Sequence, residues 1–198
     1  MLEGGAFFFF FCWPCSEDFE SEELRRFCEV CYRVRAFKPT LTVSGLHAAL
    51  SVAASYPRAV AYERFASLTD QPYNSAAIQA AQLSDGRGKL TGLRLLRRVP
   101  GADRKQKMLL PSRTGRAIAR LFCDVRGGSD QDCEQYLFET ILPVFQLALQ
   151  NAPSIKLGTF CVLLSVAQNA ERFGARGDPS GIISEELGLS NLLIFTQK

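Results

Sequence analysis

Histidine is almost missing from this chain: His47 is the single one among 198 residues. A Ser-His-Asp or Cys-His system therefore has one candidate base, and no nucleophile motif surrounds it. The glycine-bearing stretches "SDGRG" and "RGGSD" lack the lysine and the strand-to-helix setting of a phosphate cradle. The expectation is a protein that is not an enzyme and needs no cofactor. Strong net charge is missing too, since 23 Lys and Arg stand against 20 Asp and Glu for a formal +3. So mild a total does not announce a nucleic-acid partner, and the distribution of charge has to decide. The apolar run from Ala6 to Trp13 is too short to span a bilayer. Glu3 stands where a secretory signal carries positive charge. These features lead to the expectation of a cytoplasmic protein with reduced thiols and no membrane partner.

Acids are scarce in one region. From Arg87 to Arg126 only Asp103 and Asp124 oppose the Lys and Arg residues, whereas Ser16 to Glu29 is acidic. A local basic block is the usual footprint of a phosphate-contacting surface, although on charge alone a solvated face is the favoured reading.

The chain is long enough for one or two domains with a core of their own. Glu17 to Phe37 carries Phe19, Leu24, Phe27, Cys28, Cys31 and Val34 near one helical face. "KPT" breaks that helix. Leu41 to Ser55, Ala61 to Thr69 and Ser75 to Leu83 read as three further helices, the last two separated by the turn "DQPYN". "SDGRGKLTG" reads as a loop. Leu93 to Val99 and Gln106 to Leu110 read as a two-stranded hairpin around "PGADRK". Ser112 is a plausible N-cap for a helix from Arg113 to Val125. "RGGSDQD" reads as a flexible loop or domain break. Glu134 to Leu149 follows as a helix that Pro143 bends or interrupts.

A pattern then returns. "PTLTVSGLHAALSVA" from Pro39 is echoed by "PSIKLGTFCVLLSVA" from Pro153, 114 residues later. "FASLTDQPYNSAAI" is echoed by "ISEELGLSNLLIFTQK" from Ile183. The expectation is two copies of one helical unit, the second stopping before any hairpin. Three regions follow: 1–38 as an extension with an amphipathic helix, 39–126 as the first unit, and 130–198 as a linker with the second, incomplete unit. The fold class expected is mainly α with a small β-hairpin wing, a winged helix-turn-helix with a tandem helical repeat.

In such a unit the second helix of the turn pair enters a major groove. In "PYNSAAIQAAQL", Ala76, Ala80 and Leu83 form an inward stripe at helical spacing. Asn74, Ser75, Gln79 and Gln82 are expected to face out, with Tyr73 at the start of the helix. Asn and Gln pair with adenine edges, and Ser and Tyr suit phosphates. Arg97, Arg98, Lys105 and Lys107 on the hairpin would meet phosphates. At its tip Asp103 would orient Arg104 toward a narrow, negative minor groove.

These segments resemble the MarR-type winged-helix transcriptional regulators. The likeness rests on a strand ending in Arg98, a turn, the Asp103–Arg104 pair, the apolar "MLL", and Ser112 to Gly115 opening a helix. It covers roughly residues 39 to 125. It implies a dimeric binder of double-stranded DNA that regulates transcription, with Arg104 at the wing tip, Asp103 as its support and Asn74 to Gln82 as the reading helix. The second copy is a departure from that family, and it opens two possibilities: a homodimer, or a pseudo-dimer within one chain. "SNLLIFTQK" in that copy is too apolar for a groove and suits a protein interface.

Two rival readings of the whole chain stand beside this one. A plasmid- or phage-type replication initiator also uses tandem winged units, and an interaction module could keep the scaffold without touching DNA. Cys12, Cys15, Cys28 and Cys31 form two Cys-x-x-Cys pairs that could ligate zinc through four thiolates. Alternatively, Cys28 and Cys31 are small core residues of their helix.

Overall fold

A computed structural model describes residues 21–87, 90–101, 103, 106–124 and 130–168. Helix α1 (Ser21–Phe37) places Glu22 and Glu23 in its first turn and Arg35 in its last, each sign matched to the helix dipole. Phe27, Cys28, Cys31 and Val34 are buried along one stripe. Helix α2 (Val43–Ala54) starts where the Thr42 hydroxyl accepts the Gly45 amide at 3.0 Å. It is buried almost all round, as a central helix must be.

Strand β1 (Val60–Ala61) leads directly into α3 (Tyr62–Leu68), and a four-residue turn leads to α4 (Tyr73–Leu83). A short ribbon, β2 (Gly86–Arg87) with β3 (Leu90–Thr91), comes next. The hairpin β4 (Leu96–Pro100) and β5 (Lys107–Pro111) then pairs antiparallel, with Arg98 opposite Leu109. Val60 of β1 pairs with Leu109 from the other side, so the sheet order is β1-β5-β4. Helix α5 (Arg113–Cys123) is capped by Ser112, whose hydroxyl accepts the Gly115 amide at 3.0 Å and donates to the Arg94 carbonyl at 2.7 Å. Any side chain at position 115 would meet the Leu95 carbonyl oxygen at 2.2 Å, so the seam between hairpin and α5 requires glycine. Helices α6 (Asp130–Tyr136), α7 (Leu142–Asn151) and α8 (Leu157–Gln168) complete the described chain.

The two ends of the chain interlock. Helix α1 packs chiefly on α8, and α7 packs on α2. Rings of Phe27, Phe122, Phe145 and Phe160 meet at their centre, with neighbouring centroids 5.5 to 6.5 Å apart. Such pairs contribute about 0.5–1.5 kcal/mol each beyond their burial. Where α2 and α8 begin, Thr42 and Lys156 form an isolated antiparallel bridge. These two residues are 114 apart, as are the first residues of α2 and α8 and the last residues of α1 and α7.

Four features depart from the sequence reading. "SDGRGKLTG" holds the β2–β3 ribbon instead of a plain loop, helped by Gly86 at φ 90°. Strand β4 begins at Leu96 rather than Leu93. The amides of Leu93 and Leu95 instead donate to the carbonyls of Gln82 and Leu83 at the end of α4, with Arg94 between them at φ 57°. The expected Glu134–Leu149 helix is a longer run, Asp130–Asn151, of two α-helices joined by a π-helical turn (Leu137–Ile141), so the end of "RGGSDQD" is already helical. Pro143, in the first turn of α7, has no amide to continue the regular ladder. Finally, Cys123 and Cys133 form a disulfide, so the expectation of uniformly reduced thiols fails for this pair. The end of α5 and the body of α6 bring their Cα atoms to 5.2 Å, within ordinary disulfide reach. No helix among the described residues is long and apolar enough to cross a membrane.

Candidate nucleic-acid interface

The turn between α3 and α4 is built by its own backbone. Asp70 adopts φ 50°, a left-handed conformation that aspartate tolerates. The Gln71 amide donates to Ala66 and the Asp70 amide to Ser67, closing the α3 C-terminus in a Schellman arrangement. Pro72 then stands at the cap of α4 and its carbonyl accepts the Ala76 amide. The Tyr62 and Tyr73 rings, 6.4 Å apart, tie the starts of the two helices together.

Ala76, Ala80 and Leu83 turn into the body as the spacing predicts, and Ala81 is buried with them. Tyr73, Asn74, Ser75 and Gln82 are exposed. Gln79 differs from its expected place. It is only half-exposed, and its Oε1 is buried with no hydrogen-bond partner among the described residues. The helical wheel explains this, because at about 100° per residue Gln79 falls at the edge of the exposed arc, next to Leu83. Ile78 falls in the middle of that arc and is 49% exposed. Sequence reading passed over it because an isoleucine in a helix is ordinarily counted as core, although the same wheel sets it between Asn74 and Gln82.

Two grooves flank α4. One, of about 490 Å³, lies against the hairpin and is lined by Tyr62, Tyr73, Ala77, Arg98, Gln106 and Lys107, with Glu63 as the acid at its side. Strand alternation puts Arg98 and Lys107 on this face together with buried Leu109, and Arg97 on the opposite face. Arg97, Arg98 and Lys107 are all exposed. Burial raises the Tyr62 phenol above its ordinary value, and the charge of Arg98 pulls it back down. The second groove, of about 410 Å³, lies on the other side of α4 and includes Thr42, Ser44, Ser75, Ile78, Gln79 and Gln82.

At the hairpin tip the Gly101 amide donates to the Gln106 carbonyl, and the Gln106 amide to that of Asp103. Asp103 is exposed there. Arg104 and Lys105 lie outside the described residues, and so does the expected Asp103–Arg104 pairing. So do Cys12, Cys15 and the echo from Ile183 onward.

The remaining chemical candidates are buried. His47 is 7% exposed, and burial lowers its pKa to about 4. Burial likewise pushes the thiol of Cys28 up to about 12 and that of Cys161 up to about 11, and it pushes Cys31 well above the usual range. These three are free thiols packed where α1 meets α8. Thiols held in the protonated form are poor metal ligands and poor nucleophiles. Among the described residues no group of His, Cys, Asp and Glu is arranged to hold a metal ion.

Compared with protein-family models, with curated proteins and with solved structures, the chain matches none.

Proposed function

We propose that this chain is a transcriptional regulator that binds double-stranded DNA through a winged helix-turn-helix. In this reading α3 and α4 are the helix-turn-helix, α4 enters the major groove, and the β4–β5 hairpin is a wing on the backbone and adjoining minor groove. One observation carries it: the outward face of α4 offers hydroxyls and amides, and the groove beside it is flanked by Arg98 and Lys107 on the hairpin. Base-reading groups on α4 and phosphate-neutralising groups on the hairpin thus lie on neighbouring faces, a division of labour that suits duplex recognition. The MarR-type likeness of the sequence supports the same assignment. The strand order β1-β5-β4, with β1 between α2 and α3, also fits a winged unit.

The 114-residue correspondence of helix ends supports a duplicated unit paired with itself inside one chain. An antiparallel bridge between equivalent residues, with α1 on α8 and α7 on α2, is the reciprocal contact pattern of a two-fold interface. That pairing also favours a second reading, a plasmid- or phage-type replication initiator, which would prefer repeated sites to a promoter palindrome.

The test is fluorescence anisotropy with a mixed-sequence duplex at several salt concentrations. The logarithm of affinity should fall linearly with the logarithm of salt, and Arg98→Ala or Lys107→Ala should each reduce that slope by about 1. Arg104→Ala should weaken binding to all sequences alike. Absence of binding at low salt would return the scaffold to an interaction module.

A further inference from the structure

We propose that α4 reads A·T-rich DNA and that Ile78 is the residue that recognises the thymine methyl group. The inference rests on α4 being the groove helix and deepens that reading by naming the base pairs.

The argument begins with what α4 exposes. Taking Asn74 as origin, Ile78, Gln82, Ser75 and Gln79 follow at about 40°, 80°, 100° and 140° around the axis. These five positions form one side of the exposed face, with exposed Tyr73 and half-buried Ala77 continuing it toward the hairpin. No Lys, Arg, Asp or Glu lies anywhere on α4. Guanine is most often read by Arg or Lys at O6 and N7, and cytosine N4 by a carboxylate. The helix lacks both kinds of group. It does carry Asn74 and Gln82 at its surface, and these amides match adenine N6 and N7.

Ile78 supplies the other half of an A·T pair. The thymine C5-methyl is an apolar feature of the major groove, and apolar side chains mark it. Ile78 is 49% exposed at the centre of an otherwise polar arc, four residues from Asn74 on one side and four from Gln82 on the other. Helix formation does not explain it. The other non-polar interior positions 76, 77, 80 and 81 are all alanine, the best helix former, whereas a β-branched residue loses side-chain freedom. Core packing does not explain it either, since about half of it faces solvent. The cations that a duplex requires lie on the hairpin beside α4, so the arc itself is left free for base edges.

The probes are three duplexes of equal length: alternating dA–dT, alternating dA–dU and alternating dG–dC. The first two differ by the C5-methyl alone. Anisotropy at fixed salt should show dA–dT bound about three- to fourfold more tightly than dA–dU, the value of one buried methyl-sized group. The dG–dC duplex should bind about tenfold or more weakly than dA–dT. Ile78→Ala should bind dA–dT and dA–dU equally while keeping the wild-type salt slope, and Ile78→Val should retain part of the difference. Because position 78 is half-exposed, both variants should fold, which circular dichroism checks.

Salt-dependent binding with equal affinity for dA–dT and dA–dU would overturn this inference and leave the DNA-binding reading intact. So would a methyl preference that survives Ile78→Ala. A change of oligomeric state in Ile78→Ala, seen by sedimentation and with base preference untouched, would assign the residue to a protein contact and overturn it as well. Salt-independent or absent binding to all three duplexes would remove both readings together.

Discussion

Residues 21–54 and 135–168 have helix ends 114 residues apart but fill their packed positions with different chemistry. Each segment ends in a 12-residue helix, α2 or α8, and the helix before it stops at Phe37 or Asn151. Six pairs of positions 114 apart are buried in both segments: Phe27 with Ile141, Cys28 with Leu142, Cys31 with Phe145, Val34 with Ala148, Leu46 with Phe160, and Leu50 with Leu164; Ala49 with Leu163 is an exception, the first buried and the second 42% exposed. What differs is size and polarity. The ring cluster takes Phe27 from the first segment and both Phe145 and Phe160 from the second, whose counterparts Cys31 and Leu46 are not aromatic. His47, the only histidine, corresponds to Cys161. The two segments thus share helix ends and several buried positions, and where they pack on each other those positions hold unequal side chains, because two phenylalanines cannot fill one space.

The largest expected effect breaks that asymmetry. Phe145→Ala should cost about 3–5 kcal/mol in denaturant unfolding, since it empties the centre of the ring cluster. Cys31→Ala at the corresponding place should cost roughly 1 kcal/mol. Equal losses would mean that the two positions carry the same packing load.

Acid should separate His47 from Cys161. The folded chain holds His47 at about 4, below the ordinary 6.5, so the unfolded chain takes up the proton first as pH falls. The contribution of neutral His47 is complete above about pH 6.5 and is lost as pH falls through about 4, with a full size on the order of 3 kcal/mol. His47→Cys, which installs the residue of the other segment, should flatten stability against pH across that window. An unchanged slope would mean that other groups titrate there.

The disulfide between α5 and α6 lies in the connection between the segments. Opening it with Cys123→Ser should lower stability by roughly 2–3 kcal/mol, the loop-closure value for a sequence separation of 10, and reductant should do the same to the native chain. A loss within experimental error would show that the interlock of α1 with α8 and α7 with α2 already fixes the two ends of that connection.

Helices were the most legible part of the sequence, because a period of 3.6 residues is written in the apolar positions themselves. α2, α3, α4 and α5 fall within one or two residues of where spacing and caps put them, and Ser112 caps as its side chain predicts. The π-helical turn before Pro143 was legible only as a break, because a proline announces a lost hydrogen bond without saying how the chain adjusts. The start of β4 was hidden because Leu93 and Leu95 look like strand residues, while their amides are drawn to the carbonyls ending α4. Cys123 and Cys133 could not be paired from spacing, since only the meeting of α5 with α6 makes them neighbours. On α4, residue type put Asn74, Ser75 and Gln82 on the outward face, where they are exposed. It misjudged the exposure of Gln79, because a position at the rim of an arc is decided by a few tens of degrees, and it passed over the exposed Ile78, because an isoleucine in a helix is ordinarily counted as core.

The Cys123–Cys133 bond also changes what a broken chain would look like. A protease cut anywhere between those residues leaves two polypeptides that still migrate as one species. They part only when a reductant is added and the fold is opened. A nick at this connection would therefore escape a non-reducing gel, and the covalent continuity of the molecule runs through sulfur as well as through its peptide bonds.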